Sequence, residues 1–250
     1  MSPVPHAPVD LIDLAPPPRL DVLDEADDCV GRFPVGRVFC VGRNYAEHAR
    51  EMGHDPHREP PFFFMKPASA VSGDESLRYP TLTADLHHEV ELVLAIGQSS
   101  AAAPAVAAAA APDSSDASFF RTAVIGCAVG VDFTRRDLQA TAKAAGRPWE
   151  AGKVFDGSAS CGALRRGHEV LDHAAARIRL TVDGVARQDG TLGQMIWSPL
   201  EVLRELAALF GLRAGDLVFT GTPAGVGPVG PGARIDAAID GLPPLQLTVR

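Results

Sequence analysis

Apolar and polar positions alternate along much of this chain, and the pattern predicts more strands than helices. Residues 38–42 (VFCVG) and 62–67 (FFFMKP) read as short strands. Residues 86–97 (LHHEVELVLAIG) read as a longer one, in which Val90, Leu92 and Leu94 alternate with Glu89, Glu91 and Val93. The run 124–132 (VIGCAVGVD) is apolar almost throughout, as a strand covered on both faces would be. Ile178, Leu180 and Val182 alternate up to Asp183-Gly184, a hairpin signal, and Leu245, Leu247 and Val249 alternate in the tail. The helices are few and short. Asn44 is placed to cap one, with Glu47 at its third position and Gly53 at its end. Thr134 with Asp137 predicts a cap for the helix RRDLQATAKAAG, and Ser198, Pro199 and Glu201 open a third helix, whose Leu203, Leu206 and Phe210 stripe stops at Gly211. The expected class is α+β, predominantly β, with a mixed or mostly antiparallel sheet.

Composition adds boundaries. Residues 1–33 are Pro-rich and acidic and read as a poorly ordered arm or a segment laid over the surface, leaving 34–250 as one domain. Residues 99–118 are an Ala-, Ser- and Pro-biased insert with at most a weak helix. The net charge of −8, without a basic or aromatic-interleaved stripe, argues against nucleic-acid binding. No stretch approaches the roughly 18 apolar residues of a membrane span, and no secretory signal opens the chain, so a cytoplasmic protein is expected. Cys29, Cys40, Cys127 and Cys161 form no CxxC pair and read as buried free thiols in a reducing compartment. Among the 23 basic residues only Lys66, Lys143 and Lys153 are lysines. Lysine is a compact charge whose pKa moves with burial, so its use in an arginine-rich chain points to a local purpose.

The candidate chemistry gathers around three acids. Glu89 and Glu91 lie two apart on a strand and share a face, in a segment otherwise apolar enough to be buried. An exposed edge strand is the competing reading. Asp132 ends an apolar strand and offers a third carboxylate, and three carboxylates with no softer donor suit Mg²⁺ or Mn²⁺. His87 and His88 adjoin the acids, but only one can share their face, and neither reads as a ligand. His48 and Glu51 are neighbours on a helix, a spacing that lets the carboxylate orient the imidazole as a general base. Exposed His and Glu at that spacing are also common. Lys153 sits in a strand-like apolar context (WEAGKVF), where a buried ammonium needs an anionic partner, a substrate or a structural acid. Lys66 follows the same logic more weakly, and Lys143, among alanines, reads as solvated. Residues 215–232 (GDLVFTGTPAGVGPVGPG) can present backbone N–H groups and the hydroxyls of Thr220 and Thr222 to an anion, or form a plain turn.

Together FCVGRNYAEHAREMG, PPFFFMKP, LHHEVELVLAIG, GVDFTRRDLQ, GRPWEAGKVFD and FTGTPAGVGPV resemble the fumarylacetoacetate hydrolase family, in its fumarylpyruvate hydrolase and acylpyruvase branch. The resemblance runs from about Arg37 to the C-terminus and leaves out the arm and the Ala-rich insert. It implies a mixed β-roll, a homodimer, and a divalent Mg²⁺ or Mn²⁺ held by Glu89, Glu91 and Asp132. It also implies a water-activating His48–Glu51 dyad, Lys153 and Gln139 beside the substrate, and Arg43, Lys66, Arg136 and Thr222 near it. The implied substrate is a 2,4-dioxo acid, with fumarylpyruvate cleaved to fumarate and pyruvate. Decarboxylation of oxaloacetate, isomerisation or hydration of unsaturated 2-oxo acids, and non-catalytic metal-dependent binding of dicarboxylates are the alternatives.

Overall fold

The structure, a computed structural model, describes residues 12, 15–51, 59–98 and 114–250. The predicted helix end at Gly53, most of the arm before Ala15 and most of the Ala-rich insert lie outside the described residues.

Ten strands make the main sheet. In order across it run β2 (Cys29–Pro34), β1 (Arg19–Leu23), β12 (Leu164–Arg166), β9 (Val124–Asp132), β8 (Val90–Ile96), β15 (Leu217–Phe219), β3 (Val38–Gly42) and β4 (Phe62–Lys66). Two short strands branch from it, β11 (Ala159–Cys161) on β9 and β5 (Val71–Ser72) on β11. A five-stranded sheet is ordered β14 (Val185–Thr191), β13 (Arg177–Val182), β17 (Arg234–Ile239), β18 (Leu245–Val249) and β6 (Ser76–Leu77). A small third sheet joins β10 (Thr134–Arg135), β7 (Leu86–His88) and β16 (Gly227–Pro228). The pairing is mixed: β1 with β12, β15 with β3, β11 with β5 and β18 with β6 are parallel, and the other pairs are antiparallel.

The central strand β8 explains why its sequence is almost continuously apolar. Leu92 and Leu94 pack with Val129, Val131, Ile178, Leu180, Ile235 and Leu247, filling the space between the two large sheets. Val93 and Ala95, on the opposite face, pack with Leu20, Phe33, Val38, Ala128 and Phe219. Every residue of β8 is buried, so the strand is internal, and the edge-strand reading of the Glu89–Glu91 segment fails. Cutting Leu92 back to Ala here removes about 2–5 kcal/mol of stability.

Among the described residues five helices flank the sheets: α1 (Ala46–Glu51), α2 (Ser114–Ala123), α3 (Arg136–Ala144), α4 (Glu150–Lys153) and α5 (Pro199–Phe210). Helix α5 carries the expected Ser198–Glu201 capping box. The other two predicted caps are absent. Asn44 reaches across the fold instead, donating to the carbonyls of Trp197 and Thr220 and accepting from Trp197 N–H, each at 2.8 Å. Thr134 belongs to β10, its buried hydroxyl has no partner among the described residues, and Arg135 stands at the start of α3 without a side-chain cap. Residues 19–34, expected as part of an arm, form an antiparallel hairpin at the end of the main sheet, with Leu20 and Phe33 buried. All four cysteines are free thiols, but Cys29 is exposed where burial was expected. Among the described residues no helix is long and apolar enough to cross a membrane.

Candidate active site

Register places the acids. Glu91 on β8 pairs with Gly130 on β9, Asp132 lies two residues beyond Gly130 on the same face, and Asp132 N–H donates to the Glu89 carbonyl at 2.8 Å. One carboxylate oxygen from each of Glu89, Glu91 and Asp132 falls within a mutual 4.8 Å, and all three residues are buried. A buried carboxylate needs compensation, and the three are compensated unequally. Lys153 Nζ donates to Glu89 Oε2 at 2.7 Å and Asp132 Oδ2 at 2.8 Å, and the Arg136 guanidinium clamps the other Glu89 oxygen. Burial opposes the Glu89 charge, but Lys153, Arg136 and His48 outweigh it and hold the carboxyl far below its usual range. Among the described residues Glu91 receives only the Gly221 N–H, at 2.7 Å. Burial first, then Asp132 and Glu89, push its carboxyl well above the usual range. A divalent cation is the charge this acid lacks, and the all-oxygen donor set fits Mg²⁺ or Mn²⁺. The cofactor is a hard divalent ion of that kind, and Glu89, Glu91 and Asp132 could hold it.

The two buried lysines separate in role. Lys153 comes from the short helix α4, not from a strand, and its N–H bonds to Trp149 O at 2.9 Å. The close approach of α4 to α3 that brings it in needs Gly152, whose Cβ would stand 2.8 Å from the Gln139 backbone nitrogen. Burial works against the Lys153 charge, but Asp132 and Glu89 raise its pKa on balance. Lys66 does not line the cleft. Its ammonium is taken up by the carbonyls of Phe133, Lys153 and Ser158 and stands 2.8 Å from Asp132 Oδ1. Lys66 therefore braces Asp132 from behind, where a substrate contact was expected.

The acids open into a cleft whose walls include Arg43, His48, Phe64, Arg136, Gln139, Trp149, Lys153 and Thr222. His48 Nδ1 is 3.6 Å from Glu51 Oε2, an ion-pair separation longer than a hydrogen bond. Burial lowers the His48 pKa, with Arg136 acting in the same sense and Glu89 and Glu51 opposing. Its imidazole is therefore neutral at pH 7 and free to accept a proton. Glu51 stands outside the cleft wall, and both its oxygens accept from Gly225 N–H, at 2.9 and 3.1 Å. Arg136 Nη1 donates to Gln139 Oε1 at 2.6 Å, which fixes the Gln139 amide and leaves its NH₂ group as the donor that faces the cleft. The backbone of Arg43 is left-handed, with φ 58°, and its guanidinium stacks 4.8 Å over the Phe62 ring.

His87 and His88 take no part in the acidic cluster. His87 pairs with Asp85, and His88 with Gln188. The hydroxyl of Thr220 donates to Leu92 O at 2.9 Å and never reaches the cleft. Three cleft groups escaped the sequence reading. Phe64 and Trp149 meet at a tilt, with ring centres 6.1 Å apart and ring planes 53° apart, and nothing in their spacing announces a wall. Lys143, expected as plain surface, lines the cleft, and burial followed by the nearby charges of Arg43 and Arg136 lowers its pKa.

Comparison with known proteins extends these observations. The family described as Fumarylacetoacetate (FAA) hydrolase C-terminal matches residues 37–250. A fumarylpyruvate hydrolase from Pseudomonas aeruginosa, solved in complex with Mn²⁺ and pyruvate, superposes with a TM-score of 0.82 at 46% identity, covering 96% of this chain and 99% of that one. A protein named oxaloacetate tautomerase from Escherichia coli (strain K12) is 36% identical over 211 residues, 84% of this chain and 90% of its own. A mitochondrial oxaloacetate decarboxylase from Dictyostelium discoideum is 35% identical over 208 residues, 82% of this chain and 89% of its own.

Proposed function

Because the chain belongs to the fumarylacetoacetate hydrolase family, we propose that it hydrolyses the C–C bond of a 2,4-dioxo acid, with fumarylpyruvate cleaved to fumarate and pyruvate. The observation that carries this reading is the buried, neutral His48, backed by Glu51 and opening onto the same cleft as the three carboxylates. A platform that only decarboxylates an oxo acid has less need of such a base. The name of the solved neighbour supports the same substrate.

When bound, the divalent ion supplies Lewis acidity to the oxo-acid end of the substrate. The remaining steps belong to the chain. His48 accepts a proton from water, and the water oxygen attacks the C4 carbonyl. The Gln139 NH₂ and the N–H of Lys153 not donated to Glu89 or Asp132 face the oxygen that becomes negative. Breaking the C3–C4 bond leaves the acyl group as a carboxylic acid and the electron pair on the pyruvate enolate, which takes up a proton at C3. Arg43 and Lys143, on the cleft wall, suit a distal carboxylate on the acyl group. The reading carries with it a cytoplasmic homodimer working on acylpyruvates from aromatic (gentisate) catabolism.

Mixing the protein with fumarylpyruvate and Mg²⁺ and following the loss of ultraviolet absorbance tests it. Absorbance that persists with Mg²⁺ and with Mn²⁺ overturns the hydrolase reading. The second reading, tautomerisation or decarboxylation of oxaloacetate, is favoured by the names of the sequence relatives. His48→Ala separates hydrolysis from decarboxylation, since decarboxylation survives the loss of a water-activating base and hydrolysis does not.

A further inference from the structure

Gln188 lies on β14 at 1% exposure, beneath the loop that carries Thr222. Two backbone groups fix which end of its amide is which. Oε1 accepts from Val90 N–H at 3.0 Å, and Nε2 donates to Pro223 O at 2.8 Å. The other two contacts then have only one polarity. Nε2 gives its second hydrogen to Thr222 Oγ1 at 2.7 Å, and Oε1 accepts from His88 Nδ1 at 2.9 Å. All four hydrogen-bonding positions of the amide are filled.

The consequence falls on Thr222. Its hydroxyl already accepts a hydrogen from below and has one of its own to give. Among the described residues no acceptor takes that hydrogen, and Thr222, 3% exposed, lines the cleft. We infer that Gln188 is a positioning residue for ligand binding: by donating to Thr222 Oγ1 it makes the hydroxyl a donor toward the cleft, and so selects a ligand with a carboxylate or carbonyl oxygen at that point. This rests on the proposed use of the cleft for 2-oxo acids.

Oxalate, a non-reacting mimic of the 2-oxo-acid end, is the probe, titrated into Mn²⁺-loaded protein by calorimetry. Thr222→Val raises its Kd about tenfold or more, the cost of a hydrogen bond to a charged group. Thr222→Ser, which keeps the hydroxyl, does not. Gln188→Glu retains the acceptor for Val90 N–H but draws the Thr222 hydrogen away from the cleft, and raises the Kd as far as Thr222→Val does. In the Thr222→Val background Gln188→Glu changes the Kd less than about twofold, because both act on one group. If a thermal melt shows Gln188→Glu unfolded, Gln188→Met, which removes the donor without adding charge, takes its place in the cycle. Additive losses in the double variant overturn the inference and leave the 2-oxo-acid reading standing. A wild-type protein that ignores oxalate in the presence of Mn²⁺ overturns both.

Discussion

His48 is held by groups of opposite effect, and that balance makes its role measurable. Burial depresses its pKa from the ordinary 6.5, while the Glu51 carboxylate pulls it back up. The base-competent neutral form therefore persists below pH 6.5, and the acid limb of kcat/KM for fumarylpyruvate should have its midpoint on the acid side of that value. Glu51→Gln removes an influence that raises the pKa, so the limb should move further toward acid as the rate falls. His48→Ala should cost about 10²–10⁴ in kcat with Mn²⁺ affinity retained; near-normal turnover in that variant would assign water activation to another group. Lys143 makes a separate demand. If its charge meets a distal carboxylate, Lys143→Ala should lower kcat/KM for fumarylpyruvate about tenfold relative to that for acetylpyruvate, which ends in a methyl group. An unchanged ratio removes Lys143 from the substrate site.

The elements hold these residues through contacts of two ranges. The loop after β15 is tied down by Glu91 on Gly221 N–H, Asn44 on Thr220 O, Gln188 on Thr222 and Pro223, and Glu51 on Gly225 N–H. Gly221 is tightly enclosed there, with φ 100° and a notional Cβ only 2.6 Å from Asn44 Cβ. Gly221→Ala should therefore destabilise the protein by roughly 1–3 kcal/mol and, by shifting the N–H that orders Glu91, weaken Mn²⁺ binding; a thermal melt and a Mn²⁺ titration read the two effects. The same loop marks where local pattern stops being informative. The two-residue period around Glu91, the apolar run ending at Asp132 and the Ser198 capping box were all legible, because each is a rule about neighbours in sequence. Asn44 and Thr134 carry the same local signals, but tertiary contacts 153 and 176 residues away claim the Asn44 amide, and a small sheet claims Thr134. Gln188 had no signal at all. A lone glutamine in a polar hairpin strand looks like solvated surface until the fold sets it 34 residues from its partner in sequence and 2.7 Å in space.

At the scale of the whole molecule, the formal charge of −8 says little about the cleft. Around the acids, three cations, Lys66, Lys153 and Arg136, already stand against two of the carboxylates, Glu89 and Asp132, before any ion arrives. A divalent ion entering alone leaves this buried region positive, and an anionic oxo acid restores the balance. Metal and oxo acid should therefore bind with positive coupling, and linkage requires each to tighten the other by the same factor, about 5–150 for a coupling of the usual size. Free Mn²⁺ counted by electron paramagnetic resonance, with and without saturating pyruvate, measures one direction; pyruvate affinity with and without Mn²⁺ measures the other. Lys153→Met supplies the sign test. With one buried cation removed, Mn²⁺ alone should bind more tightly than to the wild type, and pyruvate should add less to it. If Mn²⁺ affinity instead falls in Lys153→Met, Lys153 serves to arrange Glu89 and Asp132 for the ion more than it opposes the ion's charge, and the coupling has to come from direct contact between the two ligands.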